Sequence, residues 1–171
     1  MKNAFTLIEL MVVFGIIALT LGLSIFGLSR FRANVELNSA YTNIISLINE
    51  GRNKSTNAFG SSTGGTLQQK DLFGINFLTT SVQPIECTSN SDGSVFSCLN
   101  SASGLITLSN MEITVVGCST RFGFKRLTQD FIGLDSVGNV QVTGNCTVDI
   151  RHLFTNEVKT ITINLVENTY K

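Results

Sequence analysis

Few side chains in this sequence are equipped for chemistry, and cysteines lead them. Cys87, Cys98, Cys118 and Cys146 all lie in the second half of the 171 residues. An even count, no CxxC pair and a single histidine favour two disulfides over a zinc site. Four cysteines allow three pairings. Asp92-Gly93 is a hairpin signal, and Cys87 and Cys98 stand equally far from it on either side. A two-residue turn there sets them directly opposite, within disulfide reach. Cys118 and Cys146 then form the second pair.

His152 is the sole histidine. It follows Arg151 in a predicted strand and is expected at a surface or edge. Serines and threonines abound, but a hydroxyl nucleophile needs an orienting base, and only one imidazole exists to serve. The Gly60–Gly65 segment lacks the lysine of a phosphate loop, so it is expected as a linker. The chain is therefore expected not to be an enzyme and to need neither cofactor nor metal.

Lys+Arg and Asp+Glu number 12 each, so no global field draws the chain to nucleic acid or anionic lipid. Charged residues make up 14%, below the ~25% of soluble domains, which leaves Ser, Thr and Asn to cover the surface. Arg121, Lys125, Arg126, Arg151 and Lys159 form the one local basic set, with Phe122 and Phe124 interleaved as candidate stacking rings. They are the candidates for DNA contact, although the chain lacks the basic excess of an electrostatic footprint.

The elements that must position these residues begin with an apolar N-terminus. Leu10 to Ser29 carries no charge and is closed by Arg30 and Arg32. Twenty helical residues span about 30 Å, one hydrocarbon thickness, so a single membrane pass is expected. Lys2 is opposed by Arg30 and Arg32, which leaves orientation open. No A-x-A-like site follows the run, against a conventional cleavable signal peptide. Glu9 lies inside the start of this segment, near the interface, where a carboxylate costs less than the ~2.5–3.5 kcal/mol of the bilayer centre.

Phe5-Thr6-Leu7-Ile8-Glu9-Leu10 resembles the class III signal of type IV pilins and type II secretion pseudopilins. The resemblance implies a basic leader carrying Lys2, cut by prepilin peptidase between Ala4 and Phe5. Ala4 stands where the family usually has glycine. It further implies N-methylation of Phe5, and a Glu9 carboxylate that pairs with a neighbouring subunit's N-terminal amine. The implied protein is a structural subunit of a type IV pilus or type II secretion pseudopilus. It would be anchored in the cytoplasmic membrane and its lipid, then transferred to an extracytoplasmic filament, with the head in the periplasm or outside. Its implied partners are other pilin or pseudopilin subunits, the peptidase and an inner-membrane assembly platform. The alternative is a pilus-associated subunit that grips DNA for uptake.

Beyond Arg32, Leu37, Tyr41, Ile44 and Ile48 recur at helical spacing, with Ala40, Ile45 and Leu47 widening the stripe. One helix is expected from about Phe5 to Asn57, with Gly15, Gly22 and Gly27 as soft points. Phe59–Thr66 has the composition of a loop. Period-two pairs follow: Phe73, Ile75 and Phe77; Ile106 and Leu108; Ile113 and Val115; Val140 and Val142; Val148 and Ile150; Ile161, Ile163 and Leu165. Leu72–Phe77, Phe124–Leu127, Gly138-Asn139-Val140 and Lys159–Ile163 are loosely similar to the head of H-type minor pseudopilins. The expected class is α+β: a long N-terminal helix, its apolar half protruding and its amphipathic half packed on an antiparallel β head, pilin-like. The expected organisation is a leader at 1–4, an apolar helix half at 5–29 and an amphipathic half at 30–57. A linker at 58–70 and a β-rich head at 71–171 complete it.

Overall fold

No proline interrupts the first fifty-seven residues, and Leu is the commonest residue among them, so no strong helix breaker stands there. In the computed structural model, helix α1 runs Leu7–Asn57, 51 residues, with Glu9 in its first turn and Lys54 in its last. Both charges complement the helix dipole. The structure describes residues 7–57, 61–63, 66–68, 70–101, 104–126, 128, 130–141, 144–165, 167 and 169–170; within these, side chains are described outside 23–27, 61–63 and 66–68. Contacts divide the chain into two units, one ending at Glu36 and one beginning at Leu37.

The described side chains of the first unit are almost all exposed, and those at 7–22 without exception. The second unit contains the rest of α1 and the strands. These are β1 (Ser61–Thr63), β2 (Thr66–Gln68), β3 (Leu72–Phe77), β4 (Ser81–Ser89), β5 (Phe96–Asn100), β6 (Ile106–Thr107), β7 (Met111–Val116), β8 (Arg121–Lys125), β9 (Phe131–Leu134), β10 (Val140–Gln141), β11 (Asn145–His152), β12 (Val158–Asn164) and β13 (Thr169–Tyr170). All pairings are antiparallel.

The expected fold class is corrected. Strand takes 42% of the described residues, so the chain is mostly antiparallel β, in two sheets and a separate hairpin. No helix among the described residues is long and apolar enough to cross a membrane. That finding is against the expected single-pass membrane localisation, and the predominance of strand is against the expected pilin-like α+β class, although α1 itself runs 51 residues. Within the expected linker, β1 and β2 pair as a hairpin, with Thr63 opposite Thr66. β-branched threonines either side of Gly64-Gly65 favour that outcome.

The seven-stranded sheet has the order β10-β9-β8-β3-β4-β5, with β6 added against β4. It curls until its two ends meet. Val95 bridges Asn139, Phe96 N–H donates to the Gly138 carbonyl at 2.8 Å, and Val140 N–H donates to the Ser94 carbonyl at 3.3 Å. The backbones of β3 and β8 approach closely at Gly74 and Gly123, which are register partners. A Cβ on Gly74 would overlap the Phe122 carbonyl, and one on Gly123 would overlap Leu72, so both positions demand glycine.

Each face of this sheet buries its own core. On one face Ile75, Phe77, Phe122, Phe124 and Phe131 pack with Leu37, Ile44 and Ile48 of α1. Val148, Ile150, Ile161 and Ile163 of the four-stranded sheet β13-β12-β11-β7 complete that layer. Phe124 and Phe131 stack with centroids 4.5 Å apart, and Phe77 meets Phe122 edge-on. Inside the curl, Leu72, Ile85, Cys87, Phe96 and Leu134 form a smaller core.

Candidate functional site

The first candidate is the N-terminal end of α1. Ala4 and Phe5, the expected cleavage pair and methylation site, lie outside the described residues. Glu9 stands in the first helical turn with its side chain exposed. Around it Leu7 is 78% exposed, Ile8, Leu10, Met11, Val12 and Val13 are all exposed, and the series continues through Phe14, Ile16, Ile17, Leu19 and Leu21. Because these positions follow one another without a break, the helix is apolar on every side, not along one stripe. Monomeric proteins rarely expose contiguous apolar patches beyond a few hundred Å². Among the described residues a Cβ added at Gly15 or Gly22 would meet nothing within 4 Å, so no contact among them requires the lack of a side chain there. The Thr20 hydroxyl donates to the carbonyls of Ile16 and Ile17, each at 3.0 Å. Its polarity is thereby turned into the helix backbone.

The cysteines form two bridges, Cys87–Cys98 and Cys118–Cys146, with Cα separations of 4.0 and 5.6 Å. Cys87 and Cys98 are register partners on β4 and β5. No three His, Cys, Asp or Glu side chains among the described residues are grouped to hold a metal.

The basic set is dispersed. Arg121 and Lys125 are on β8, with Arg126 just after it, whereas Arg151 and Lys159 belong to β11 and β12 of the other sheet. Arg151 is bridged to Glu112, Lys159 lies over the Tyr41 ring at 5.1 Å, and Arg121 Nη1 donates to the Ser136 carbonyl at 3.2 Å. Phe122 and Phe124, expected as stacking rings, are buried to 0% and 2% exposure. The alternation Arg-Phe-Gly-Phe-Lys sends the rings into the core and the charges to the other face. No base can reach them.

His152 is likewise corrected, from surface to core, at 3% exposure. Its strand alternates Cys146, Val148, Ile150, His152 inward, and its Nδ1 lies 3.3 Å from the Thr155 hydroxyl. Two residues escaped sequence reasoning. Asn76, amid the apolar Leu72–Phe77 strand, is 7% exposed. Asp135 Oδ1 accepts the N–H groups of Val137, Gly138 and Asn139 at 2.7–2.9 Å, and Oδ2 accepts Asn139 Nδ2 at 2.7 Å. The Asn139 side-chain bond, then its backbone N–H, lowers the Asp135 pKa below its ordinary value.

Family models, curated proteins and solved structures all returned no match to this chain.

Proposed function

We propose that this protein is a structural subunit that assembles with other subunits into a filament, in the manner of type IV pilins and type II secretion pseudopilins. The observation that carries this reading is the exposed, all-round apolar helix from Leu7 to Leu21, with Glu9 as its one charge. Such a surface calls for neighbours, and identical helices from other subunits supply matching apolar contacts. The Phe5–Leu10 motif supports the same reading and adds a chemical role for each end of it. Cleavage before Phe5 by prepilin peptidase frees an amine there. Glu9 of one subunit then pairs with that amine of the next, an attraction strengthened as the apolar surroundings lower the local dielectric. On this reading the further partner is an assembly platform that stacks the subunits.

The test is Glu9→Val. The substitution lengthens the apolar run and removes only the carboxylate, so folding is expected to be unchanged. Incorporation, read as the share of the chain recovered in sheared filaments beside wild-type subunits, is expected to fall at least tenfold. Wild-type incorporation of the variant overturns the pairing.

A further inference from the structure

Among the described residues, the four-stranded sheet keeps an open edge along β12. That strand pairs with β11 from Val158 to Asn164 and meets β13 at Ile163 and Asn164. His152 N–H donates to the Glu157 carbonyl, and Leu165 N–H to the Gly144 carbonyl. By alternation, the odd-numbered residues of β12 turn their backbone groups to β11. Val158 and Thr160 direct theirs outward, where no described residue bonds them. At the sheet's other edge, in contrast, Ile113 N–H is taken by the Thr79 carbonyl.

Sheet edges are normally blunted by charge, proline or a bulge, and this stretch of β12 has none of them. Its register with β11 runs without a skipped residue. Lys159 is turned onto the Tyr41 ring, 5.1 Å from its centroid. The Thr160 hydroxyl donates to Asp149 Oδ1 at 2.6 Å, which draws that side chain toward β11 and away from the edge. A second element lacks a neighbour. The hairpin β1–β2 is a sheet of its own, paired with neither large sheet. Two strands alone are marginally stable in water, and Ser61–Gln68 carries no charge to keep another strand away. The hairpin offers a strand, and β12 offers an edge to receive one.

Within one chain the two stand apart. The Lys159 contact puts the open stretch of β12 beside Tyr41, whereas the Tyr170 hydroxyl, on the covered stretch, donates to Asn49 Oδ1. Helix α1 thus runs from the open stretch past the covered one and ends at Asn57, about 24 Å of helix beyond Tyr41. The four residues from Asn57 to Ser61 span about 14 Å at full stretch, so the hairpin begins short of that edge. A second copy has no such restriction. Its hairpin and this edge are different surfaces, so their contact is heterologous and propagates as an open row of subunits. We propose that β2 (Thr66–Gln68) of one copy adds by main-chain hydrogen bonds to the Val158–Thr160 edge of β12 in the next, extending its sheet by strand addition. This head-to-head contact deepens the filament reading and rests on it, but uses no residue of the Glu9 pairing.

The experiment uses the full disulfide-bonded chain with the apolar end of α1 covered by detergent micelles, so that only the heads are free to associate. Unlabelled chain is titrated into isotope-labelled chain and followed by amide NMR. Saturable shifts are expected at Val158–Thr160 and at Thr66–Gln68, with exchange of the Thr160 N–H slowed at least tenfold. Leu67→Pro and Thr160→Pro are each expected to weaken self-association at least tenfold while head resonances stay dispersed, because proline is tolerated on an edge whose N–H faces solvent. Mixed one to one, the two variants are expected to pair again, since the first keeps the edge and the second keeps the hairpin. If Thr160→Pro loses its dispersed resonances, Val158→Lys takes its place as a charge on the exposed edge. Glu9→Val is expected to associate as wild type does, which separates this contact from the Glu9 pairing. No saturable shift at Val158–Thr160, undiminished association in both variants, a mixture that fails to pair, or loss of association in Glu9→Val overturns the proposal.

Discussion

Cys87 and Cys98 sit directly opposite each other on neighbouring strands, β4 and β5, and are joined to one another. The connection between the strands is longer than a two-residue turn, running from Asn90 to Val95. It is nonetheless symmetric about Asp92-Gly93, because Asn90 N–H donates to the Val95 carbonyl at 2.9 Å. Gly93, at a φ of 71°, takes the left-handed position that the loop needs. The register across the hairpin is thus the one a tight turn would set, and the pairing follows from it.

The two bridges close loops of unequal length, with separations of 11 and 28 residues. Loop-closure entropy then assigns about 2.8 kcal/mol to Cys87–Cys98 and about 3.6 kcal/mol to Cys118–Cys146. Urea unfolding of the Cys87→Ser/Cys98→Ser and Cys118→Ser/Cys146→Ser double variants is expected to show the larger loss for the second. The reverse order would count against an unfolded-state origin.

Much of the second unit was legible because it rests on simple periods. Leu37, Ile44 and Ile48 stand four or seven apart and are all buried, with Tyr41 half-buried between them; Ile161 and Ile163 alternate inward likewise. His152 and the Phe122/Phe124 pair were misplaced although the same period of two runs through their strands. In those strands position decides over residue chemistry, and an imidazole and two rings are carried inward. The closure of the curled sheet was not legible. It depends on Val95 meeting Asn139, a contact between distant segments that no local pattern encodes. Asn76 was hidden for a similar reason, since its burial is set only once β3 and β8 are paired.

Gly138 tests that closure. Its φ of 101° is one that side chains rarely adopt, and a Cβ there would overlap the Phe96 carbonyl across the seam. Gly138→Ala is expected to cost about 2–3 kcal/mol in urea unfolding. Gly93→Ala has a left-handed φ but open space around it, so about 1 kcal/mol is expected. Equal losses would mean that the seam contributes nothing beyond backbone strain.

Asp135 and Asp92 make a pH prediction. Each carboxylate has its pKa lowered below 3.8, Asp135 chiefly by the Asn139 side chain and Asp92 chiefly by the Ser94 hydroxyl. A group whose folded pKa is depressed stabilises the fold above its unfolded pKa, and that stability is lost as pH falls through the folded value. The urea midpoint is therefore expected to decline as pH drops from about 4 toward 2. Asp135→Asn is expected to flatten part of that decline and leave the remainder to Asp92. An unchanged slope in an Asp92→Asn/Asp135→Asn double variant would remove both loops from the acid response.

Gly15 and Gly22 separate what α1 needs for itself from what it needs for its neighbours. Each costs the helix about 1 kcal/mol relative to alanine, and a Cβ added at either would meet nothing within 4 Å among the described residues. Within one molecule, then, Gly15→Ala and Gly22→Ala relieve a cost and create no clash. Amide exchange in residues 10–22 is expected to slow by up to about fivefold per substitution. The head, from Leu37 onward, is a separate unit, and its unfolding free energy in urea is expected to change by less than about 0.5 kcal/mol. Between molecules the expectation reverses. Small residues let helix backbones approach closely in apolar surroundings, and two added methyl groups would hold neighbouring helices apart. The double variant is therefore expected to be a better-ordered monomer and a poorer filament subunit, with reduced recovery in sheared filaments. Recovery equal to wild type, alongside slowed exchange, would show that these glycines soften the helix and do not set the spacing between subunits.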